Sequence, residues 1–132
     1  MRTLIAGLLT GTLLVLGMPA ATAGDPDFGR MWRKDGVLKS GCHNYKYQYR
    51  VKSPTPDWAL ETFLVDPTKE TIANGGFASN ADPKRGSGTF RFCRYNTKPG
   101  KFKIRGKLTY YDGWDKSVVW VKPGYFRLRK AS

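Results

Sequence analysis

Alternating apolar and charged side chains make residues 101–110, KFKIRGKLTY, the most regular stretch of the chain. Apolar or small residues occupy the even positions, and four of the odd positions hold the cations Lys101, Lys103, Arg105 and Lys107. Because successive strand side chains point to opposite faces of a sheet, this period of two predicts a strand with one buried and one solvated face. The solvated face would carry four cations in a row, each roughly 7 Å from the next.

The rest of the chain repeats this alternation in short segments. They span residues 45–51, 58–65, 70–73, 89–95, 118–121 and 125–130, with one more short strand expected near Val37. Runs rich in Pro, Gly, Asn and Asp separate them, and no helical periodicity follows residue 23. Seven to eight short strands between such turns predict an all-β fold, an antiparallel β-sandwich of the jelly-roll or immunoglobulin-like kind.

The first 23 residues have the order of a secretory signal peptide. The cation Arg2 precedes an apolar run over residues 4–16, and small residues end the segment at Ala23. This apolar run is too short for a comfortable membrane span, and no second long one follows. Cleavage after Ala23 would leave an extended lead-in, residues 24–41, and one β-sandwich domain, residues 42–132. We therefore expect a secreted protein with no transmembrane segment after cleavage.

The charge balance is strongly basic, with 23 Lys and Arg against 10 Asp and Glu and a net charge of +13. The leader holds one of these cations and none of the acids, so the mature chain keeps +12. An excess of this size attracts anionic polymers and surfaces, although it says nothing about the fold.

Strand parity places many of the cations on solvated faces. If the apolar positions of each strand point inward, four separate strands have cationic outer faces. The residues concerned are Lys46, Arg50, Arg91, Lys101, Lys103, Arg105, Lys107, Arg127 and Arg129. Strands that share a sheet would merge these faces into a basic plate, which we take as the candidate site for an anionic ligand.

Cys42 and Cys93 are the only cysteines, and in an exported chain they predict one disulfide. The chain-entropy argument gives about 4 kcal/mol of stabilisation for a loop of this length. Alternation puts Cys93 on the same side as Arg91. We therefore expect the bridge at the margin of the fold, where it ties residues 41–44 to the strand of Phe92.

Aromatic residues offer a second means of contacting a ligand. Tyr110 and Trp114 lie in or beside the connection that follows residue 110, and Trp120 comes shortly after it. Exposed rings stack on sugars or bases, but a small domain also needs aromatic rings in its core. We assign Tyr110 and Trp120 to the core, and Trp114 is open between packing and ligand contact.

Few residues fit catalysis or metal binding. His43 is the only histidine, which excludes multi-histidine metal sites, and no nucleophile-elbow motif accompanies it. The acidic pair Asp112 and Asp115 lacks the ligand density of calcium loops. The other acids are spread through turns, as expected of turn-forming residues. We expect no catalytic residue, no metal site and no cofactor.

A family resemblance accompanies these patterns. The segments YKYQYRV, DWALETFLVDPTKETIA, GTFRFCRYNTKPGKFKIRG and GYFRLR resemble small secreted bacterial β-sandwich modules, and among them the pre-peptidase C-terminal domain type. Exported actinobacterial proteins of unknown function look similar. The resemblance implies a jelly-roll-like accessory or binding module with no catalytic residues. Some relatives bind calcium at the second strand, where this chain has only Asp57 and Glu61.

These observations predict a secreted, non-enzymatic module whose basic face binds an anionic surface or polymer. The ligand classes are a wall polymer, an acidic polysaccharide, a nucleic acid or an anionic lipid. Two alternatives stay open. One is a protein–protein interaction module or inhibitor that uses residues 79–88, with Arg85 as an exposed anchor; the other is a cationic antimicrobial protein. The sequence does not predict the oligomeric state.

Overall fold

A computed structural model describes residues 25–132, with side chains from Phe28 onward. The predicted signal peptide, residues 1–23, lies outside this part. Within it, eight strands and one short 3-10 helix follow in chain order. They are β1 (Asp25–Trp32), β2 (Gly36–Leu38), β3 (Cys42–Val51), β4 (Asp57–Val65), β5 (Thr71–Ala78), β6 (Arg85–Cys93), the 3-10 helix (Arg94–Asn96), β7 (Gly100–Asp112) and β8 (Asp115–Lys130).

All strands belong to one sheet, with the order β5-β4-β7-β8-β1-β3-β6 and β2 paired with the end of β8. β1 and β2 run parallel to β8, whereas the other pairs are antiparallel. The sheet is therefore mixed, which differs from the purely antiparallel arrangement predicted. The parallel pairs arise because the segment predicted as an extended lead-in supplies β1, between β8 and β3, and β2.

The two end strands, β5 and β6, lie beside each other, so the sheet is nearly closed and barrel-like. Phe77 of β5 stacks on Tyr49 of β3, with ring centroids 3.9 Å apart. Across the interior, the hydroxyl groups of Tyr47 and Thr62 form a hydrogen bond of 2.7 Å. The predicted all-β class and strand number are confirmed. A continuous, curling sheet does not divide clearly into the two packed sheets of the predicted sandwich.

The core follows the predicted parity. Buried residues alternate with more exposed ones along β4, along most of β7, from Tyr45 onward in β3 and over the last residues of β6, because the buried positions face the barrel interior. The buried apolar residues of these strands are Tyr45, Tyr47, Tyr49, Val51, Trp58, Leu60, Leu64, Phe90, Phe92, Phe102, Ile104 and Leu108. Stacked rings join the strands, as between Phe102 and Phe126 of β8, whose centroids are 5.4 Å apart. The outward positions are therefore free to carry charge.

Two predicted breaks lie inside strands. β5 continues through Gly75, where a side chain would crowd the hydroxyl groups of Tyr47 and Thr62. The predicted segments 118–121 and 125–130 are both part of β8, because residues 122–123 form a β-bulge opposite Arg105. A bulge lets a strand pass a Pro-Gly pair without ending.

The disulfide joins Cys42 and Cys93, which are directly opposite each other at one end of the β3–β6 ladder. Cys42 is exposed and Cys93 is half-buried, so the bridge is peripheral, as predicted. The bridge ties β6, which is hydrogen-bonded to β3 alone, to the rest of the sheet. Across residues 25–132 there is no helix long and apolar enough to cross a membrane.

Gly124 allows β1 to pack against the β8 bulge, because a Cβ at this position would overlap the carbonyl oxygen of Met31. We expect Gly124→Ala to lower the free energy of unfolding by about 2 kcal/mol or more, since backbone atoms cannot move aside as a side chain can. Chemical denaturation followed by tryptophan fluorescence measures the change. Gly76→Ala is the matched control, because its Cβ would lie 3.8 Å from the nearest atom, the Leu60 oxygen. Equal stability of the two variants would contradict the position of β1.

Candidate anion-binding face

The cations predicted on the outer face of β7 lie there. Phe102, Ile104 and Leu108 are fully buried, so the alternating positions between and beside them point outward. Lys101 is exposed, and Lys103, Arg105 and Lys107 are partly exposed. Neighbouring strands extend this face, since Lys101 is the register partner of Arg127 on β8.

An open cavity of 640 Å³ lies over one part of this face. Its cationic lining comes from Lys69, Lys101, Lys103 and Arg105, and Tyr125 lies among them. We call this the β7 groove. Residues of four strands and one turn therefore converge on one concave region. The alternation within a single strand does not predict this convergence.

Aromatic rings support two of the groove cations. The Lys101 Nζ atom lies 4.5 Å from the ring centroid of Tyr125, and the Arg105 guanidinium carbon lies 4.1 Å from that of Trp120. A cation over a ring gains about 0.5–1 kcal/mol at exposed sites, and a stacked guanidinium keeps its donor edge free for an oxyanion. Trp120 was predicted in the core. It lies instead on the outer, half-buried side, because Val121 takes the inward position.

Lys107 differs from the other three cations of the predicted row on β7, which are Lys101, Lys103 and Arg105. Its Nζ atom lies 3.4 Å from the Oε1 atom of Glu61, its register partner on β4. Both side chains are partly exposed, so this ion pair contributes little to stability. The ion pair nevertheless neutralises the charge of Lys107. Among the described residues, the row on β7 therefore has three cations without an ion-pair partner rather than four.

A rigid turn positions Lys69 at the rim of the groove. Asp66 is buried and accepts hydrogen bonds from the Thr68 hydroxyl at 2.6 Å and the Thr97 hydroxyl at 2.6 Å. The backbone N–H groups of Thr68 and Glu70 also donate to its carboxylate. Lys69 has a positive φ of 79°, a conformation that the surrounding hydrogen bonds must hold in a residue other than glycine.

These hydrogen bonds also set the ionisation of Asp66. Burial alone would raise its pKa by disfavouring the charged form. The hydroxyl groups of Thr68 and Thr97, together with two backbone N–H donors, outweigh burial and hold the pKa below its usual value. Asp66 is thus a charged anchor for the turn, and its oxygens are already engaged with protein donors.

The remaining predicted cations fall into two groups. Arg127 and Arg129 lie on β8, the neighbour of β7, and the Arg129 guanidinium donates to the Gly36 oxygen at 3.4 Å. Lys46, Arg50 and Arg91 lie on the adjacent strands β3 and β6, which β1 separates from β8. One continuous sheet therefore carries all the predicted cations, but they wrap around its curved surface and do not form a flat plate.

Sequence reasoning missed several cations. Arg30 lies on β1, in the predicted lead-in, and Lys122 lies in the β8 bulge. Arg85, predicted in a loop as an anchor, is the first residue of β6, and its guanidinium carbon lies 5.9 Å from the Trp32 ring centroid. The alternation of Phe28, Arg30 and Trp32 with small or apolar residues was the available signal for the β1 strand.

Other candidate residues lie away from this face or make structural contacts. Trp114 is fully exposed at the tip of the β7–β8 turn, beside Asp115. His43 Nε2 lies 2.7 Å from the Ser40 carbonyl oxygen. Tyr110 packs against the core and stacks with Phe28 at 6.0 Å. Within residues 25–132, no group of three or more His, Cys, Asp and Glu side chains is placed to hold a metal ion.

Comparison with solved structures gives distant likenesses to several chains. The chain is similar to the CARDB domain of the PF1109 protein from Pyrococcus furiosus, solved in complex with di-metal ions, with 12% sequence identity and a TM-score of 0.43. The match covers 85% of this chain and 95% of that one. No family model and no curated protein sequence matches the chain. The resemblance to the pre-peptidase C-terminal domain type is therefore without support from these comparisons.

We expect Asp66→Asn to lower the free energy of unfolding by about 1–3 kcal/mol at neutral pH, because an amide cannot accept all four hydrogen bonds. The folded-state pKa lies below the unfolded one, so the contribution is present above about pH 4 and is lost as the pH falls through the folded pKa. Denaturation measured from neutral to acidic pH should show the gap between wild type and variant closing. Glu70→Gln, in the same turn, should stay within about 0.5 kcal/mol of wild type. A gap that does not depend on pH would contradict this role.

Proposed function

We propose that this protein is a secreted, non-enzymatic binding module that holds an anionic polymer or surface on its basic outer face. The observation that carries the proposal is the β7 groove, where Lys69, Lys101, Lys103 and Arg105 converge around one concave region. The carboxylate of Asp66, which also borders it, is committed to hydrogen bonds inside the turn. The groove thus presents a local excess of positive charge to a ligand.

The chemistry of the groove suits oxyanions of a chain or surface more than a small apolar molecule. Lysine ammonium groups act as adaptable point charges, and the arginine guanidinium offers a planar fork for carboxylate, sulfate or phosphate. The stacked contacts of Lys101 and Arg105 limit the side-chain freedom that binding would otherwise remove. The peripheral disulfide is compatible with an extracellular location.

We expect the triple variant Lys101→Gln, Lys103→Gln and Arg105→Gln to elute from a heparin column at lower salt than wild type. Each lost ion pair removes counterion release, so the slope of log Kd against log salt should fall by about 2. Isothermal titration with soluble heparin at several salt concentrations measures that slope. Heparin serves here as a probe of polyanion binding.

A control variant removes the same charge elsewhere. Lys39, Lys116 and Lys130 are exposed and do not border the groove, so their triple glutamine variant should retain most of the affinity. Equal losses in the two variants would mean that net charge alone drives binding. Absence of wild-type binding to every anionic polymer and surface would overturn the proposed function.

A further inference from the structure

A row of five cations crosses the outside of the barrel from strand to strand. Arg105 of β7 lies opposite the β8 bulge that carries Lys122, and Lys122 is the register partner of Arg30 on β1. Arg30 in turn pairs with Arg50 of β3, and Arg50 pairs with Arg85 of β6. Directly paired residues project from the same face of a sheet. With strands about 4.8 Å apart, this cationic belt spans roughly 20 Å.

The arrangement of the belt is electrostatically unfavourable for a sheet, because it places like charges next to each other on neighbouring strands. Like charges directly opposite each other on neighbouring strands destabilise the pairing. Here they follow one another across three direct strand pairs, and Arg105 adds a fourth neighbour opposite the bulge. Among residues 28–132, the one ion pair within 4 Å joins Lys107 to Glu61, so it neutralises no belt cation. Local violations of this kind in an otherwise consistent fold mark functional positions.

Three cavities follow the belt around the barrel. The first is the β7 groove, which Arg105 lines. The second, of 340 Å³, is lined by Arg30, Lys122 and Trp32. The third, of 590 Å³, gathers four cations, which are Arg50, Lys52, Lys84 and Arg85. Every belt residue therefore borders a depression, and a cationic cavity lies at each end.

Two indole rings hold belt guanidinium groups in place. The Arg30 guanidinium carbon lies 4.3 Å from the Trp32 ring centroid, and that of Arg85 lies 5.9 Å from the same centroid. Trp120 supports Arg105 in the same way. Stacking on a ring restricts a guanidinium group while its N–H donors can still bind an oxyanion in bidentate fashion. The belt is therefore pre-organised for a series of separate oxyanions.

We propose that the belt binds a linear acidic polysaccharide that runs across the strands, from the β7 groove over β1 to the cavity between Arg50 and Arg85. This inference rests on the proposed function and adds the class and the path of the ligand. Carboxylate or sulfate groups carried along one chain reach successive cations, and the two end cavities give such a chain more than one point of attachment.

The same contacts disfavour the other polyanions. Single-stranded nucleic acid binds through aromatic rings on which bases stack, but the indole rings of the belt are engaged by arginine side chains. A membrane surface is flat on this scale, whereas the belt follows a nearly closed sheet and could touch a bilayer with only part of its length. The fully exposed Trp114 lies at a hairpin tip and does not border any of the three cavities.

The test compares the binding of heparin fragments of different length to four proteins at one low salt concentration. They are wild type, the belt variant, the charge control and the groove variant, in which Lys101, Lys103 and Arg105 are replaced by Gln. The belt variant carries Arg30→Gln, Arg50→Gln and Arg85→Gln and keeps the β7 groove intact. We expect wild-type affinity to rise with fragment length up to fragments that cover roughly 20 Å. For long fragments, the belt variant should lose at least about tenfold in Kd, because three ion pairs are removed. For the shortest fragments, it should bind like wild type.

The Lys39, Lys116 and Lys130 glutamine variant controls for charge, and thermal unfolding of each variant checks that the fold is kept. If only the groove variant loses binding, and wild-type affinity does not depend on fragment length, then the proposal that the belt binds a polysaccharide is wrong. The proposed function of the basic face would still hold. Absence of binding by wild type to every polyanion would overturn both. Tighter wild-type binding to single-stranded DNA or to anionic vesicles than to heparin, at equal total charge, would overturn the polysaccharide assignment.

Discussion

The position of β1 between β8 and β3 is the constraint on which the described structure depends. Without β1, no backbone ladder would join the β5-β4-β7-β8 strands to the β3–β6 ladder. Two glycines permit this close fit: a side chain at Gly29 would overlap the Arg50 carbonyl oxygen, and one at Gly124 would overlap that of Met31. Because β1 joins the two groups of strands in a defined register, it also determines which outward residues become neighbours.

That register changes what the basic charge can do. A stripe of cations along β7 alone would be an ordinary solvated face, and one of its members, Lys107, is already paired with Glu61. With β1 in place, Arg30 lies between Lys122 and Arg50, and cations continue across the sheet. The repulsion among these cations is screened by salt and partly offset by stacking of the Arg30 guanidinium on Trp32. The cations point outward, so they do not disturb the packing of the core. Charge and core are thus separated by strand parity.

Much of the fold could be predicted from the sequence where alternation was long and regular. The β3, β4 and β7 strands follow from period-two patterns. The position of the disulfide at the margin of the fold follows from the parity of Cys93. The β8 strand was split in prediction because a Pro-Gly pair normally signals a turn, and only pairing with β7 shows that it forms a bulge. Trp120 was misplaced because a short VVWV run does not define which residues point inward.

The candidate site was less predictable than the fold for a physical reason. The stripe on β7 is a property of one segment, so the sequence reveals it. The belt is a property of the register among five strands, and residues such as Arg30 and Arg85 are far apart in the chain. The β1 strand itself was not recognised, since its apolar residues are isolated and its stability comes from contacts with β3 and β8.

The most direct test of the cationic belt is a backbone amide NMR titration of the protein with a heparin fragment long enough to cover it. We predict chemical-shift changes that form one path from the β7 groove through Lys122 and Arg30 to Arg50 and Arg85. Changes confined to the Trp114 turn or to the residue 79–84 loop, or spread evenly over all exposed lysines, would contradict this prediction.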